Sequence, residues 1–133
     1  MPHRMSASNS NPLHVDFCGL SFDSPIVLLS GCVGFGEEYT RVEGFSNRDV
    51  GAVVLKGTTG EARLGNPPHR VCETAMGMLN AIGLQNPGVD KVVDEILPGL
   101  DFDETRFIAN VSGSTIEEYV DVTRRFDDSP FDA

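Results

Sequence analysis

Three places in this sequence set a hydrogen-bonding or charged side chain beside glycine directly after an apolar run: Ser30–Gly31, Lys56–Gly57, and Asn110–Val111–Ser112–Gly113. Glycine has no Cβ, so a flat ligand can approach the backbone there while the neighbouring side chain binds its edge. Lys56 and Arg63 are the only Lys or Arg residues between Asp49 and His69, and Lys56 follows an apolar run. That placement suits a fixed positive charge facing an anionic ligand. It suits equally a lysine that runs its stem along the strand and its ammonium to water. A fourth stretch, "MLNAIGLQNPG" (78–88), holds Asn80, Asn86, Gly83, Gly88 and Pro87. An amide donates and accepts at once, which matches a ring with alternating C=O and N–H groups. Asn is also a turn former, so Asn80 and Asn110 keep both readings.

Other chemistries find less support. Ser30 has no His or Asp close in sequence and no GxSxG frame. "GCVGFG" (31–36) spaces its glycines as GxxGxG, which is neither a dinucleotide fingerprint nor a phosphate loop. His3, His14 and His69 lack ligand spacing, so no metal is expected, and Arg70 is expected to pair with a nearby acid. Cys18, Cys32 and Cys72 form no CxxC pair and are expected as reduced thiols.

The elements that must position these residues follow a repeated cadence. "LHVDFCGLSF" (13–22) predicts two short strands around Gly19. "IVLLS" (26–30), "AVVL" (52–55) and "RFIANVSGS" (106–114) predict strands buried on both faces. Each is followed by small and polar residues, with "GCVGFG" expected to be irregular. Helices are expected over 37–45, with Tyr39, Val42 and Phe45 inward, and over 89–97, with Val89, Val92, Val93, Ile96 and Leu97 on one side. A third is expected after Ser114, which would cap it with Glu117 as its box partner. Its inward stripe would be Ile116, Tyr119, Val120, Thr123 and Phe126. Residues 61–88 read as a long excursion with little helix. Strand, polar loop and helix recurring three times indicate a parallel α/β fold. A complete (β/α)8 barrel takes about 250 residues, so 133 residues supply only part of one.

Twenty acidic against ten basic residues, a net charge of −10, argue against nucleic acid or an anionic membrane as the main partner. No apolar run reaches the length of a membrane-spanning helix. "MPHRMSASNSNP" (1–12) lacks an apolar signal core and reads as a flexible arm, leaving 13–133 as the domain.

At "SGCVGFGEEY", "VVLKGTT", "GNPPHR", "GMLNAIGLQNPG" and "IANVSGST" the chain resembles the amino-terminal portion of class 1 dihydroorotate dehydrogenases. "NAIGLQNPG" is more similar to the NAD-linked 1B subclass than to the fumarate-using 1A form. The resemblance runs over residues 13–128, with several motifs in fixed order. It implies the amino-terminal part of a (β/α)8 TIM barrel: about three βα units preceded by a short β-hairpin, with FMN at the carboxyl ends of the strands. The implied reaction is oxidation of dihydroorotate to orotate in pyrimidine biosynthesis in the cytoplasm.

The resemblance also assigns roles. Ser30, Gly31, Lys56, Gly57 and Asn110 would contact the flavin. Lys56, Asn80, Ala81, Ile82, Gly83 and Leu84 would face the substrate. In the 1B subclass a partner subunit carrying FAD and an iron–sulfur cluster passes electrons to NAD, and an oligomer is expected. The family's general base is a cysteine in an "N-x-S-C-P-N" stretch after the fourth strand. The chain ends at Ala133, where that strand should begin, and neither Cys32 nor Cys72 has such a context. The later lysine, the second asparagine cluster and the glycine-rich loops that hold the FMN phosphate are not among these residues either. Inactivity of the 133-residue chain alone is therefore the expectation; a non-catalytic ligand-binding or assembly module derived from this fold is the alternative.

Overall fold

The computed structural model describes residues 11–131 and Ala133. Its framework is a three-stranded parallel sheet of β3 (Val27–Leu28), β4 (Ala52–Val54) and β7 (Arg106–Ile108), with β4 in the centre. An antiparallel hairpin, β1 (Val15–Phe17) and β2 (Leu20–Phe22), precedes it. The other elements are α1 (Ser30–Val33), the hairpin β5 (Val71–Thr74) and β6 (Gly77–Asn80), α2 (Val89–Lys91) and α3 (Ile116–Asp127). The expected cadence and the early hairpin are both present. Of the arm expected at the start, residues 1–10 lie outside the described residues. Asn11 is tied down, its amide donating to Asp23 O at 2.7 Å.

Register is set where β3 and β4 begin. Gly51 N–H donates to Ile26 O at 2.8 Å. A Cβ at Gly51 would stand 1.8 Å from Ser24 O, so the close approach admits glycine only. From there the ladder pairs Val27 with Ala52 and Ala52 with Arg106, and advances in step. Val53, Leu55 and Phe107 from the sheet pack with Val33, Val89, Val92, Leu97, Val122 and Phe126. Phe107 is fully buried and meets Phe102 edge to face at 5.2 Å. Burial of such apolar area is the main favourable term in folding.

Several expected elements differ. "GCVGFG" was expected to be irregular, but Ser30–Val33 form one α-turn, with Cys32 N–H donating to Leu29 O at 2.9 Å. The helix expected over 37–45 is only a 3-10 turn at Tyr39–Arg41, and Tyr39 and Val42 are exposed. Gly36 and Gly44 on either side adopt left-handed φ values of 91° and 84°, which no α-helix can continue. The helix over 89–97 starts as α2, widens into a π-turn at Val92–Ile96 and ends in a 3-10 turn at Leu97–Gly99. Pro98 lacks the N–H an α-turn needs, and the wide turn rotates Leu97 inward with Val89 and Val92. Residues 61–88 contain no helix, as expected, but they do contain the β5–β6 hairpin.

The last helix is capped one residue later than its sequence suggests. Thr115, not Ser114, is the cap, accepting from Glu118 N–H at 3.1 Å. Its buried face is Val122 and Phe126, while Ile116, Tyr119 and Val120 of the expected stripe are exposed. Polar partners select that face: Arg125 donates to Asp90 at 3.0 Å and to Asp94 at 2.6 Å on the preceding helical segment.

Candidate functional site

Past their last regular residues, the strands stay linked. Lys56 N–H donates to Gly34 O at 2.6 Å, Thr58 N–H to Asn110 O at 2.8 Å, and Ser112 N–H to Thr58 O at 2.8 Å. The polar residues after β3, β4 and β7 are thus held in one layer at the carboxyl end of the sheet, where α/β folds place their ligands. Asn110 donates its amide to Ser30 Oγ at 3.0 Å, joining the ends of β7 and β3. Gly57, on the central strand's loop, is buried. A Cβ there would lie 2.9 Å from Ser112 Oγ, 3.1 Å from Leu84 Cδ1 and 3.6 Å from Asn110 Oδ1. Ser30, Gly57, Leu84 and Asn110 are therefore brought together, and Lys56 precedes Gly57 directly. Lys56 is partly buried, and its ammonium has no hydrogen bond or ion pair among the described residues. Gly31 sits on the exposed turn of α1, with open space beside it.

The remaining residues that the sequence predicts for a substrate-facing loop are arranged by a second set of ties. Asn80 ends β6, opposite Val71, with its side chain exposed. No hydrogen bond among the described residues joins its amide to Lys56 or Asn110. Ala81 N–H donates to Arg70 O at 2.8 Å and Ala81 O accepts from the Asn66 amide at 2.9 Å. Ile82 O accepts from Asn66 N–H at 3.0 Å. Gly83 has φ 78°, and a Cβ there would sit 2.7 Å from Asn66 N. Leu84 shares the left-handed region, with φ 51°, which is costly for a branched side chain. Arg70 finds no acid among the described residues: its guanidinium donates to Gln85 Oε1 and to Leu64 O in place of the expected ion pair. The segment offers it carbonyls and an amide before any carboxylate.

Four residues of this layer lacked a decisive signal in sequence. Ser112 packs its hydroxyl against Gly57, 2.9 Å from where a Cβ would stand. Asn66 carries the 81–83 backbone. Asn86, though visible in the quoted stretch, is a buried internal anchor. Glu118, one turn into α3, spans two strand-end loops: its carboxylate accepts from Gly60 N–H at 3.2 Å and Ser114 N–H at 2.6 Å. Arg63 lies 3.9 Å away and donates to Ser114 Oγ at 2.7 Å. The Ser114 N–H chiefly holds the Glu118 carboxyl below the usual carboxylate range; desolvation opposes this, and Gly60 N–H and Arg63 add to it. The available signals were Asn before Pro, a turn initiator, and an acid in a helix's first turn. Neither identifies its partners. The three cysteines are free and exposed.

Comparison with known proteins bears on the family and the fold. The family model described as dihydroorotate dehydrogenase matches residues 12–132. The catalytic subunit of dihydroorotate dehydrogenase B (NAD(+)) from Geobacillus kaustophilus is 52% identical over 120 residues, covering 90% of this chain and 38% of that protein. The corresponding subunit from Anoxybacillus flavithermus is 54% identical with the same coverage. The chain thus spans 38% of the length of these relatives. Among solved structures, the complex of DHODH with ferulenol from Eimeria tenella aligns with TM-score 0.63 at 21% identity, over 94% of this chain and 36% of that one. Its ligand-free type aligns with TM-score 0.59 at 20% identity, over 95% and 38%. At that identity the likeness establishes the fold.

Proposed function

We propose, from the premise that this chain belongs to the dihydroorotate dehydrogenase family, that it builds part of the site in which dihydroorotate is oxidised to orotate during pyrimidine biosynthesis. The observation that carries the reading is the convergence of Ser30, Leu84, Asn110 and Ser112 around the bare backbone of Gly57, beside Lys56. The missing Cβ of Gly57 lets Ser112 Oγ and Leu84 Cδ1 close onto the strand end, while open space lies beside Gly31; the hydrogen-bonding side chains of Ser30 and Asn110 and the backbone of Gly31 and Gly57 would hold FMN there. Bound there, FMN supplies the two-electron acceptor for the hydride leaving substrate C6.

The chain's own residues bind and orient. Lys56 places a positive charge against the substrate carboxylate and stabilises the negative charge that develops on oxidation, a preorganised electrostatic effect. Asn80 satisfies one polar edge of the ring. Ala81 and Gly83 expose backbone to it, and Ile82 and Leu84 exclude water around it. The cysteine that takes the C5 proton in the family's reaction stands in an "N-x-S-C-P-N" context that neither Cys32 nor Cys72 has. In the 1B form, electrons leave through a partner subunit carrying FAD and an iron–sulfur cluster to NAD, in the cytoplasm. No described helix is long and apolar enough to cross a membrane.

Calorimetric titration with orotate tests the ligand half of this reading. The chain is expected to bind saturably, and Lys56→Ala to weaken binding roughly a hundredfold, as for loss of a charged hydrogen bond. Equal affinity in both would overturn it. Mixing the chain with FMN and dihydroorotate tests the catalytic half: the flavin should stay oxidised, and bleaching at the rate of a full-length relative would place the base among these residues after all.

A further inference from the structure

One buried polar group has no part in the proposed chemistry. Asn86 is almost fully buried, with 5% of its surface exposed, two residues beyond the substrate-facing segment. Its side chain has four hydrogen-bonding positions, and all four are engaged. Oδ1 accepts from Thr59 N–H at 3.2 Å and from Gly88 N–H at 3.0 Å. Nδ2 donates to Thr59 Oγ1 at 3.0 Å and to Leu84 O at 2.9 Å. The Thr59 hydroxyl in turn donates to Glu61 O at 2.6 Å, fixing its hydrogen away from Asn86. The backbone of Asn86 pairs both ways with Arg63, at 2.8 and 3.0 Å.

Three facts connect this anchor to the ligand layer. Thr59 lies two residues beyond Gly57 on the same loop. Leu84 sits in the left-handed region at φ 51°, where a leucine does not rest unaided. From that strained backbone its Cδ1 reaches to 3.1 Å of the point where a Gly57 Cβ would stand. The Asn86 donor is the one side-chain group that grips the Leu84 carbonyl among the described residues. The same amide therefore holds one end of the loop to the central strand and turns Leu84 over the bare backbone beside Lys56.

We propose that Asn86 is a positioning residue: through Leu84 O and Thr59 it locks Leu84 in the left-handed conformation that closes the apolar side of the ligand site at Gly57. The assignment rests on the reading that residues 80–84 face the substrate. Asn86 touches no ligand in this scheme and acts only through Leu84.

Asn86→Asp is the selective variant. It keeps the shape and both Oδ1 acceptor bonds but replaces the Nδ2 donor to Leu84 O and Thr59 Oγ1 with an oxygen. Orotate affinity, read by calorimetry, is expected to fall roughly tenfold. Leu84→Gly supplies the second arm, because glycine occupies φ 51° without strain and presents no side chain for Asn86 to position. In the double variant, Asn86→Asp should then change orotate affinity less than twofold beyond Leu84→Gly alone. A general loss of packing would instead give additive effects, and additivity overturns the inference. Unchanged affinity in Asn86→Asp, with affinity lost in Lys56→Ala, overturns the inference and leaves the substrate reading standing. Unchanged affinity in Lys56→Ala overturns that reading and the inference together.

Discussion

The central sheet and the β5–β6 hairpin carry complementary parts of one candidate site by opposite means. Val53 and Phe107 of the sheet and Leu55 just after β4 are buried, and single backbone hydrogen bonds such as Thr58 N–H to Asn110 O and Ser112 N–H to Thr58 O tie the polar residues after the strands together. In the hairpin every strand residue from Val71 to Thr74 and from Gly77 to Asn80 is exposed, and Met76 at its turn is 97% exposed. Beyond its own pairing the hairpin is fastened by side-chain ties at its base, chiefly Asn66 and Arg70. A packed platform therefore fixes Gly57 and Asn110, while a solvated arm bearing Asn80 is aimed by a few hydrogen bonds. Rigid elements hold functional groups more accurately than loops do, so the positions proposed to face a flavin fall on the first region and those proposed for the adaptable ligand edge on the second.

Damage to the platform should be severe. Phe107→Ala is expected to cost about 3–5 kcal/mol in stability by creating a cavity in the densest part of the core, measurable by urea denaturation. Gly51→Ala comes next: its methyl would meet Ser24 O at 1.8 Å, so β3 must shift, at a cost of about 1–3 kcal/mol. Gly77→Ala sharpens the contrast, since nothing lies within 4 Å of a Cβ there; the change should fall within about 0.5 kcal/mol. A stability loss at Gly77 equal to that at Gly51 would erase the distinction between the two regions.

Glu118 supplies a smaller, pH-dependent test of the platform's rim. Its carboxyl is held below the ordinary range in the folded state, so the stabilisation is present above the unfolded pKa and is lost as pH falls through that range toward the folded value. The stability difference between the wild type and Glu118→Gln should therefore shrink on acidification and level off near neutrality. A difference constant from neutral to strongly acid pH would exclude the charge as its cause. Met76→Ser should have the least effect on melting, because its side chain is already in water.

The parts of this chain legible in sequence were those governed by periodicity and by local chemistry. Three apolar runs ending in small polar residues announced three parallel strands, and glycines beside Ser30, Lys56 and Ser112 marked their carboxyl ends. What stayed hidden depended on partners distant in sequence. The α3 stripe expected from the sequence ran through Ile116, Tyr119 and Val120; Arg125 against Asp90 and Asp94 instead turned the face bearing Val122 and Phe126 inward. The same applies to Arg70, whose partners were carbonyls and an amide that no charge pattern could reveal.

Asn80 and Asn86 mark the boundary most clearly. Sequence alone established that residues 78–88 combine amides, bare backbone and apolar side chains, and that such a mixture suits a flat polar ring. It could not tell which amide faces outward and which is spent inside. The fold decided that by burying Asn86 against Thr59, 27 residues away, and leaving Asn80 exposed at the end of β6. Composition fixes which hydrogen-bonding groups a segment owns; only tertiary packing removes some of them from water and obliges the chain to satisfy them internally.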